Sequence, residues 1–351
     1  MGREKAIQIF TEFSDFGFVA LKVRKEEDAR VIEDVKYAGS RDEEGLQAAL
    51  DGLGGLRRSG YLLSNIGFYP PSRVFMRASL EDPKKGKESQ YLTDLVKEGA
   101  KIEPETYALS VLHPSDGIPI DFTEAPEKEV FFCGGQQEDF ASFQEKILRM
   151  GLFPLSLEIG TLATLGALID YLGYAGIEEP TLVLEMGMDS SQAFILHEGQ
   201  LAGTRKISQG LQGMVRIVQQ VLGLKDEKAA LRLFYSDTFD FQEMGPQLVA
   251  ELLQELNAYA AFYELETGHT VGQILCTMIP TKLGWLNRTL SKLMVVDPLD
   301  LDFPGWLASH QIQTDPALWE DPPTNLLGVV GLMIERREPN ESNNASPEKE
   351  S

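Results

Sequence analysis

The sequence predicts a two-lobed α/β protein, and three observations carry that reading. Its 351 residues exceed one ordinary core and suit two lobes. Two stretches, one from Ala6 and one from Pro180, read as strand meanders followed by helices, so the chain looks internally repeated. Hydrophobic residues make up 43% and charged residues 25%, which is the composition of a globular chain.

The elements follow in order. AIQIFTEF, FGFVALKV and ARVIEDVKYAG alternate apolar and polar residues between turns, as half-buried strands do. Residues 43–58 read as a helix, with Leu46, Leu50 and Leu53 on one face before Gly54 and Gly55 break it. YLLSNIGFYP and SRVFMRASL are expected as strands around the Pro70-Pro71 turn. A helix with Tyr91, Leu92, Leu95 and Val96 inward follows, then strands TYALSVLHP and EKEVFFCGG. Residues 137–151 form an amphipathic helix on Phe140, Phe143, Ile147 and Leu148, closed by Gly151. LFPLSLEIG leads into TLATLGALIDYL, a mostly apolar helix that is expected to be buried. The second meander is TLVLEMGMD, SQAFILHEG and QLAGTRKIS, with a hairpin connection at 197–200. Helices dominate after Gly210. QILCTMI is a short strand, KLGWLNRTLSKLM a helix, and LLGVVGLMI a closing strand. Residues 337–351 have no large apolar anchor and are expected to be disordered.

Charge and composition exclude several functions. A net charge of −22 repels phosphate backbones, so no nucleic-acid partner is expected. It also disfavours direct adsorption to anionic lipid. No apolar run reaches the length of a membrane span, and MGREKAIQIF lacks the apolar core of a signal peptide. The expectation is a cytoplasmic protein with no direct membrane insertion. Cys133 and Cys276 sit in apolar contexts and read as buried free thiols. Four scattered histidines and two distant cysteines offer no zinc constellation, so no metal is assigned. No GxSxG elbow, Walker A loop or GxGxxG is present. Trp285 reads as core, and Trp306 and Trp319 as pins for the Pro-rich segment 297–323.

The order of elements resembles the PilM family of type IV pilus assembly. The stretch from Tyr61 to Leu172 carries the likeness, through the paired strands around the proline turn, the Leu-Val-Lys-Glu-Gly helix, the strand ending VFFCGG, and RMGLFPLSLEIG before an Ala/Leu-rich helix. LVLEMGMDSSQAFILHEGQLAGTRKISQG is similar to that family's second phosphate hairpin, and LLGVVGLMIERR to its C-terminal strand. The resemblance implies an actin-like (ribonuclease H-like duplicated) fold with an inserted α+β subdomain, as in FtsA and the cytoplasmic part of GspL. The implied boundaries are 1–60 for the start of lobe 1, 61–150 for the insert, 151–179 for the return to lobe 1, 180–336 for lobe 2, and 337–351 for an acidic tail.

An actin-type site binds phosphates on two hairpins, with an acid in each near Mg²⁺ and a glycine turn beside the adenine. In the first hairpin, IFTEFSDFGF, the candidates are Ser14, Asp15 and Gly17. Phe13 and Phe16 stand where close backbone approach is needed, and the alternative is a plain turn whose Ser and Asp satisfy their own backbone. In the second, LEMGMDSSQ, the candidates are Glu185, Gly187, Asp189 and Ser190, against a plain glycine turn. The adenine turn has Pro280 and Thr281 in place of glycines. These signatures are eroded, so no catalytic residue and no ATP/Mg²⁺ cofactor are assigned. The resemblance therefore implies a non-hydrolysing scaffold of an inner-membrane assembly platform. It would bind the N-terminal cytoplasmic peptide of a PilN-like single-span protein and also contact the assembly ATPases, with self-association as a further expectation. The alternatives are an ATPase or sugar-kinase-like enzyme and an FtsA-like polymer; FtsA-like chains end in a basic amphipathic helix, whereas this one ends acidic.

Overall fold

The computed structural model describes residues 7–334 apart from 28, 40–41, 56, 123–126, 237 and 320–322. The 337–351 tail lies outside the described residues. The first lobe starts with β1 (Ile7–Phe13), β2 (Gly17–Lys25) and β3 (Arg30–Gly39), which pair antiparallel as a meander. α1 (Glu43–Leu53) follows. Asp42 caps it by accepting from Gly45 N at 2.8 Å, and Leu46, Leu50 and Leu53 are its buried face. β4 (Arg57–Arg58) turns back antiparallel into β5 (Tyr61–Phe68), and β5 runs parallel to β1.

Then comes an excursion of β6 (Val74–Ser79), α2 (Ser89–Ala100), β7 (Tyr107–Leu112) and β8 (Glu129–Gln136). Its strands form a separate sheet in the order β6-β8-β7. Leu80, Val96, Val130 and Phe132 make its own small core. α3 (Gln137–Arg149) leads back to β9 (Leu152–Ile159), which is parallel to β5, and then to α4 (Gly160–Ala175).

The second lobe repeats the plan. β10 (Thr181–Glu185), β11 (Ser191–His197) and β12 (Gln200–Ile207) form the meander. α5 (Leu211–Val221), α6 (Glu227–Phe234), α7 (Gly245–Leu248) and α8 (Ala250–Thr267) intervene before β13 (Gln273–Thr277), which is parallel to β10. α9 (Trp285–Met294) leads to β14 (Asp297–Pro298), parallel to β13. The two sheets thus share one wiring: an antiparallel triplet, then a parallel strand, then one more. The actin-like, duplicated α/β fold is this repetition. α10 (Phe303–Ser309), β15 (Ile312–Gln313) and α11 (Leu327–Met333) end the described chain.

α4 packs within a cluster that also holds Val183, Phe194 and Leu275 of the second sheet and Leu21 and Val23 of the first. Its mostly apolar sequence fits that position, with Asp170 and the exposed glycines on the side that faces a groove. Trp306 and Leu307 are fully buried there, and Phe303 meets Trp319 edge-on at 5.6 Å, so the Pro-rich segment is pinned as expected. Cys133 and Cys276 are free and buried.

Three boundaries differ from the sequence reading. β5 belongs to the first lobe's sheet and does not pair with β6. α3 buries Phe143 and Ile147 against Ile9, Phe13 and Leu50, so it too belongs to lobe 1. The separate unit is therefore shorter than 61–150 at both ends. The segment LLGVVGLMI is a helix, α11, not a strand. It packs with α10 in the cluster around α4, and β15 pairs with β3. The end of the stretch assigned to lobe 2 (180–336) thus packs on lobe 1.

Candidate functional site

The two hairpin turns face the cleft between the lobes, a cavity of about 560 Å³. In the first turn Ser14 consumes the backbone groups that a phosphate would need. Its Oγ accepts from Phe16 N at 3.3 Å and Gly17 N at 3.1 Å, and its own N–H donates to the Gly17 carbonyl at 2.9 Å. This is a self-satisfied turn. Ser14, Asp15 and Gly17 do line the cleft, and so does Phe16. Phe13 does not crowd it, contrary to expectation. Its ring turns into the core, 4.8 Å from Phe18 and 5.3 Å from Phe143, because successive strand residues point to opposite faces.

In the second turn, Gly187 is needed for closeness: a Cβ there would lie 2.2 Å from the Ser190 carbonyl. The turn's carbonyls are held by the first amides of α5, Leu211 N to Gly187 O at 3.0 Å and Gln212 N to Met188 O at 2.9 Å. That helix terminus is thereby capped by protein. Only Met188 of this turn lines the cleft; Gly187, Asp189 and Ser190 do not.

Glu185 is 1% exposed and is held by Arg73, whose Nε and Nη2 donate to Oε1 at 2.9 and 2.7 Å. Arg73 also donates to the Pro70 carbonyl at 3.2 Å and lies 5.7 Å over the Tyr69 ring. Glu12, at the end of β1, is the counterpart acid in the first lobe. It is 3% exposed and accepts from Tyr69 Oη at 2.9 Å, while its Oε2 has no partner among the described residues. Burial, reinforced by the charge of Glu185 and opposed by the Tyr69 hydrogen bond, lifts its pKa from 4.5 to about 8. One of the two acids that would face a metal is therefore largely protonated at neutral pH. The other is neutralised by an arginine from the root of the inserted unit. Sequence reasoning missed Glu12, Tyr69 and Arg73. Glu12 carried a signal, as the one ionisable residue of β1, next to the turn; Arg73 carried none.

At the third element, Met278, Ile279, Pro280, Thr281 and Lys282 line the cleft. The walls are mostly apolar and aromatic, with Phe16, Phe18, Tyr235 and Met188 prominent.

A second cavity of about 640 Å³ runs between the inserted unit, α4 and the end of the described chain. Leu112, Phe131, Leu162, Leu165 and Ile169 supply its apolar lining, and Gly166 and Gly173 keep part of the α4 wall low. Residues 113–117 form one rim. Asp170 stands on another, accepting from Trp306 Nε1 at 2.7 Å and meeting His310 Nε2 at 2.5 Å. Among the described residues Asp116 and Asp170 are its acids, and no lysine or arginine lines it. The groove's position is held from both sides. Pro114 O accepts from Leu201 N at 2.9 Å, and Arg77 Nη1 donates to the carbonyls of Leu201 and Ala202 at 3.1 and 2.5 Å.

Among solved structures, a chain of a PilM–PilN type IV pilus biogenesis complex matches this one with a TM-score of 0.67 at 16% identity, over 94% of this chain and 98% of that one. The chain therefore has the PilM-type fold. A Bacteroides thetaiotaomicron protein described as having an actin-like ATPase fold and unknown function matches with a TM-score of 0.45 at 11% identity, covering 94% and 97%. The cytoplasmic domain of EpsL, an inner-membrane component of the Vibrio cholerae type II secretion system, matches with 0.43 at 8%, covering 78% and 84%. No family model matches the chain, and no curated protein matches it by sequence. Among the described residues no helix is long and apolar enough to cross a membrane, and no cluster of side chains could hold a metal.

Proposed function

We propose that this protein is a non-hydrolysing scaffold that captures a short peptide from a membrane protein in the groove beside its inserted unit. The observation that carries this is the groove itself: an apolar lining, small residues on one wall and carboxylates on its rim. Such a site suits an extended or helical segment with apolar anchors and one or two basic residues. The occupant is the N-terminal cytoplasmic stub of a PilN-like single-span protein, and capture of it holds the scaffold at the cytoplasmic face of the inner membrane. Pilus assembly ATPases are further partners.

The absence of catalysis is part of the proposal. Mg²⁺ bridging nucleotide phosphates needs ionised acids and free amides. Here Arg73 holds Glu185, burial protonates Glu12, and Ser14 occupies the turn amides. The fold shared with a chain from a PilM–PilN complex supports the partner class. Titrating the full chain with the N-terminal peptide of the PilN-like protein tests it. A stub that orders on docking gives micromolar affinity, with an association rate that falls as salt rises. Gly173→Phe, which fills the groove at a position where a Cβ meets nothing, abolishes binding without unfolding the protein. Absence of a complex at high micromolar peptide would overturn the proposal.

A further inference from the structure

A chain of net charge −22 carries a surface of opposite character where β5 and β9 begin. Arg57 and Arg58 form β4 and are exposed. Arg58 lies directly across the hairpin from Tyr61, which brings their side chains together. The Tyr61 ring meets Phe153 edge-on at 6.4 Å. Phe153 is 47% exposed, and Leu155, next along β9, is 61% exposed. The last turn of α3 adds exposed Lys146 and Arg149. Gly151 O accepts from Leu62 N at 2.8 Å, which seats the turn after α3 against the start of β5. Arg58, Lys146 and Arg149 have no ion pair or side-chain hydrogen bond among the described residues, and Arg57 reaches Asp51 only at 3.9 Å. The chain has 54 acidic residues to 32 basic, so cations left without carboxylates are informative.

We infer that this surface docks on anionic phospholipid, with Arg57, Arg58, Lys146 and Arg149 on the headgroup phosphates and Tyr61, Phe153 and Leu155 in the interfacial layer. Aromatic rings beside arginine and lysine are the chemistry that a membrane interface selects. A lipid surface needs no pocket, and neither cavity described above is lined by these residues. Capture of an acidic peptide by strand addition fits less well. Among the described residues β9 pairs only with β5, but Pro154 offers no N–H and the register shifts beside it, so its outer ladder is interrupted. The protein's overall negative charge does not forbid contact, because salt screens charges more than about 8–10 Å away and leaves the local cations to decide.

Sedimentation of the full chain with vesicles tests the assignment. The chain should pellet with phosphatidylcholine–phosphatidylglycerol vesicles at low salt and not with phosphatidylcholine alone. Arg58→Glu combined with Arg149→Glu should lower the bound fraction roughly ten-fold or more, since each cation near an anionic surface contributes a several-fold gain. Phe153→Ser with Leu155→Ser should remove the part of the binding that survives high salt. All four side chains are exposed, so thermal unfolding should be unchanged; should the arginine pair fail to fold, Lys146→Glu alone must still weaken pelleting. Failure of the wild type to pellet with the anionic vesicles overturns the assignment. So does pelleting that both double variants retain, or binding of an acidic protein through Arg58 and Arg149 with no affinity for vesicles.

Discussion

Replacing Arg73 by methionine removes both donors from Glu185 and leaves a carboxylate 1% exposed, with the buried Glu12 as its neighbour. Nothing on the described chain stands ready to replace the guanidinium. Removing one partner of a buried pair costs about 3–5 kcal/mol, because the other charge stays behind without compensation. Arg73 also anchors the Pro70 carbonyl and covers Tyr69, so the root of the inserted unit loosens with it. Arg73→Met should therefore lower the unfolding free energy in denaturant by ~3–5 kcal/mol. Adding Glu185→Gln should recover most of that loss, because no buried charge is then unpaired. The double-mutant cycle should give a coupling of more than ~1 kcal/mol between the two sites. A single-variant loss below ~1 kcal/mol, or no coupling, would refute the claim that Arg73 is the cation that neutralises this acid.

The remaining predictions concern the same cleft and the groove. Because burial lifts the folded-state pKa of Glu12 from 4.5 to about 8, the folded protein holds this proton more tightly than the unfolded chain does. Its stabilising contribution is full below pH 4.5 and is lost as pH rises through about 8, at most ~5 kcal/mol in all. Glu12→Gln mimics the protonated form, so it should match the wild type at pH 5 and exceed it in stability at pH 8.5; equal pH slopes would count against the buried proton. Calorimetry with Mg²⁺ and ATP should show no binding in the low micromolar range. Gly328→Ala would place a Cβ 2.2 Å from Glu12 Oε2 and 2.9 Å from Tyr69 Oη, and should cost ~1–3 kcal/mol by overpacking, read by thermal unfolding. Asp170→Asn removes one of the groove's two acids and should slow peptide association at low salt more than at high salt, measured by stopped flow.

Much of the fold was legible because the local signals agreed with the global one. The two meanders announced the repeat through period-two alternation, and α4 announced its burial by a mostly apolar sequence. α11 was misread because a nine-residue apolar run has no period that separates a buried strand from a buried helix. What decided it was close packing. Gly328 and Gly331 are one helical turn apart and give α11 a smooth face, where a Cβ on Gly331 would lie 2.2 Å from the Ala163 carbonyl. The root of the inserted unit was misplaced for a different reason: the partner of β5 is β1, about fifty residues earlier, and no strand's own sequence names its partner. The site divided the same way. That Pro280 and Thr281 are not glycines could be read directly. The Arg73–Glu185 pair could not, because it joins residues 112 apart. Phe13 and Phe16 looked alike in the sequence, yet Phe13 ends β1 with its ring in the core, while Phe16 lies in the turn after it and lines the cleft.

A peptide bound in the groove beside the inserted unit would leave the interlobe cleft alone. Hydrogen exchange of the full chain, with and without the N-terminal peptide of the PilN-like protein, tests this most directly. Slowed exchange is expected in residues 113–117 and along α4, with no change at the turns around Ser14, Gly187 and Pro280. Protection confined to those turns, or none anywhere at saturating peptide, would contradict it.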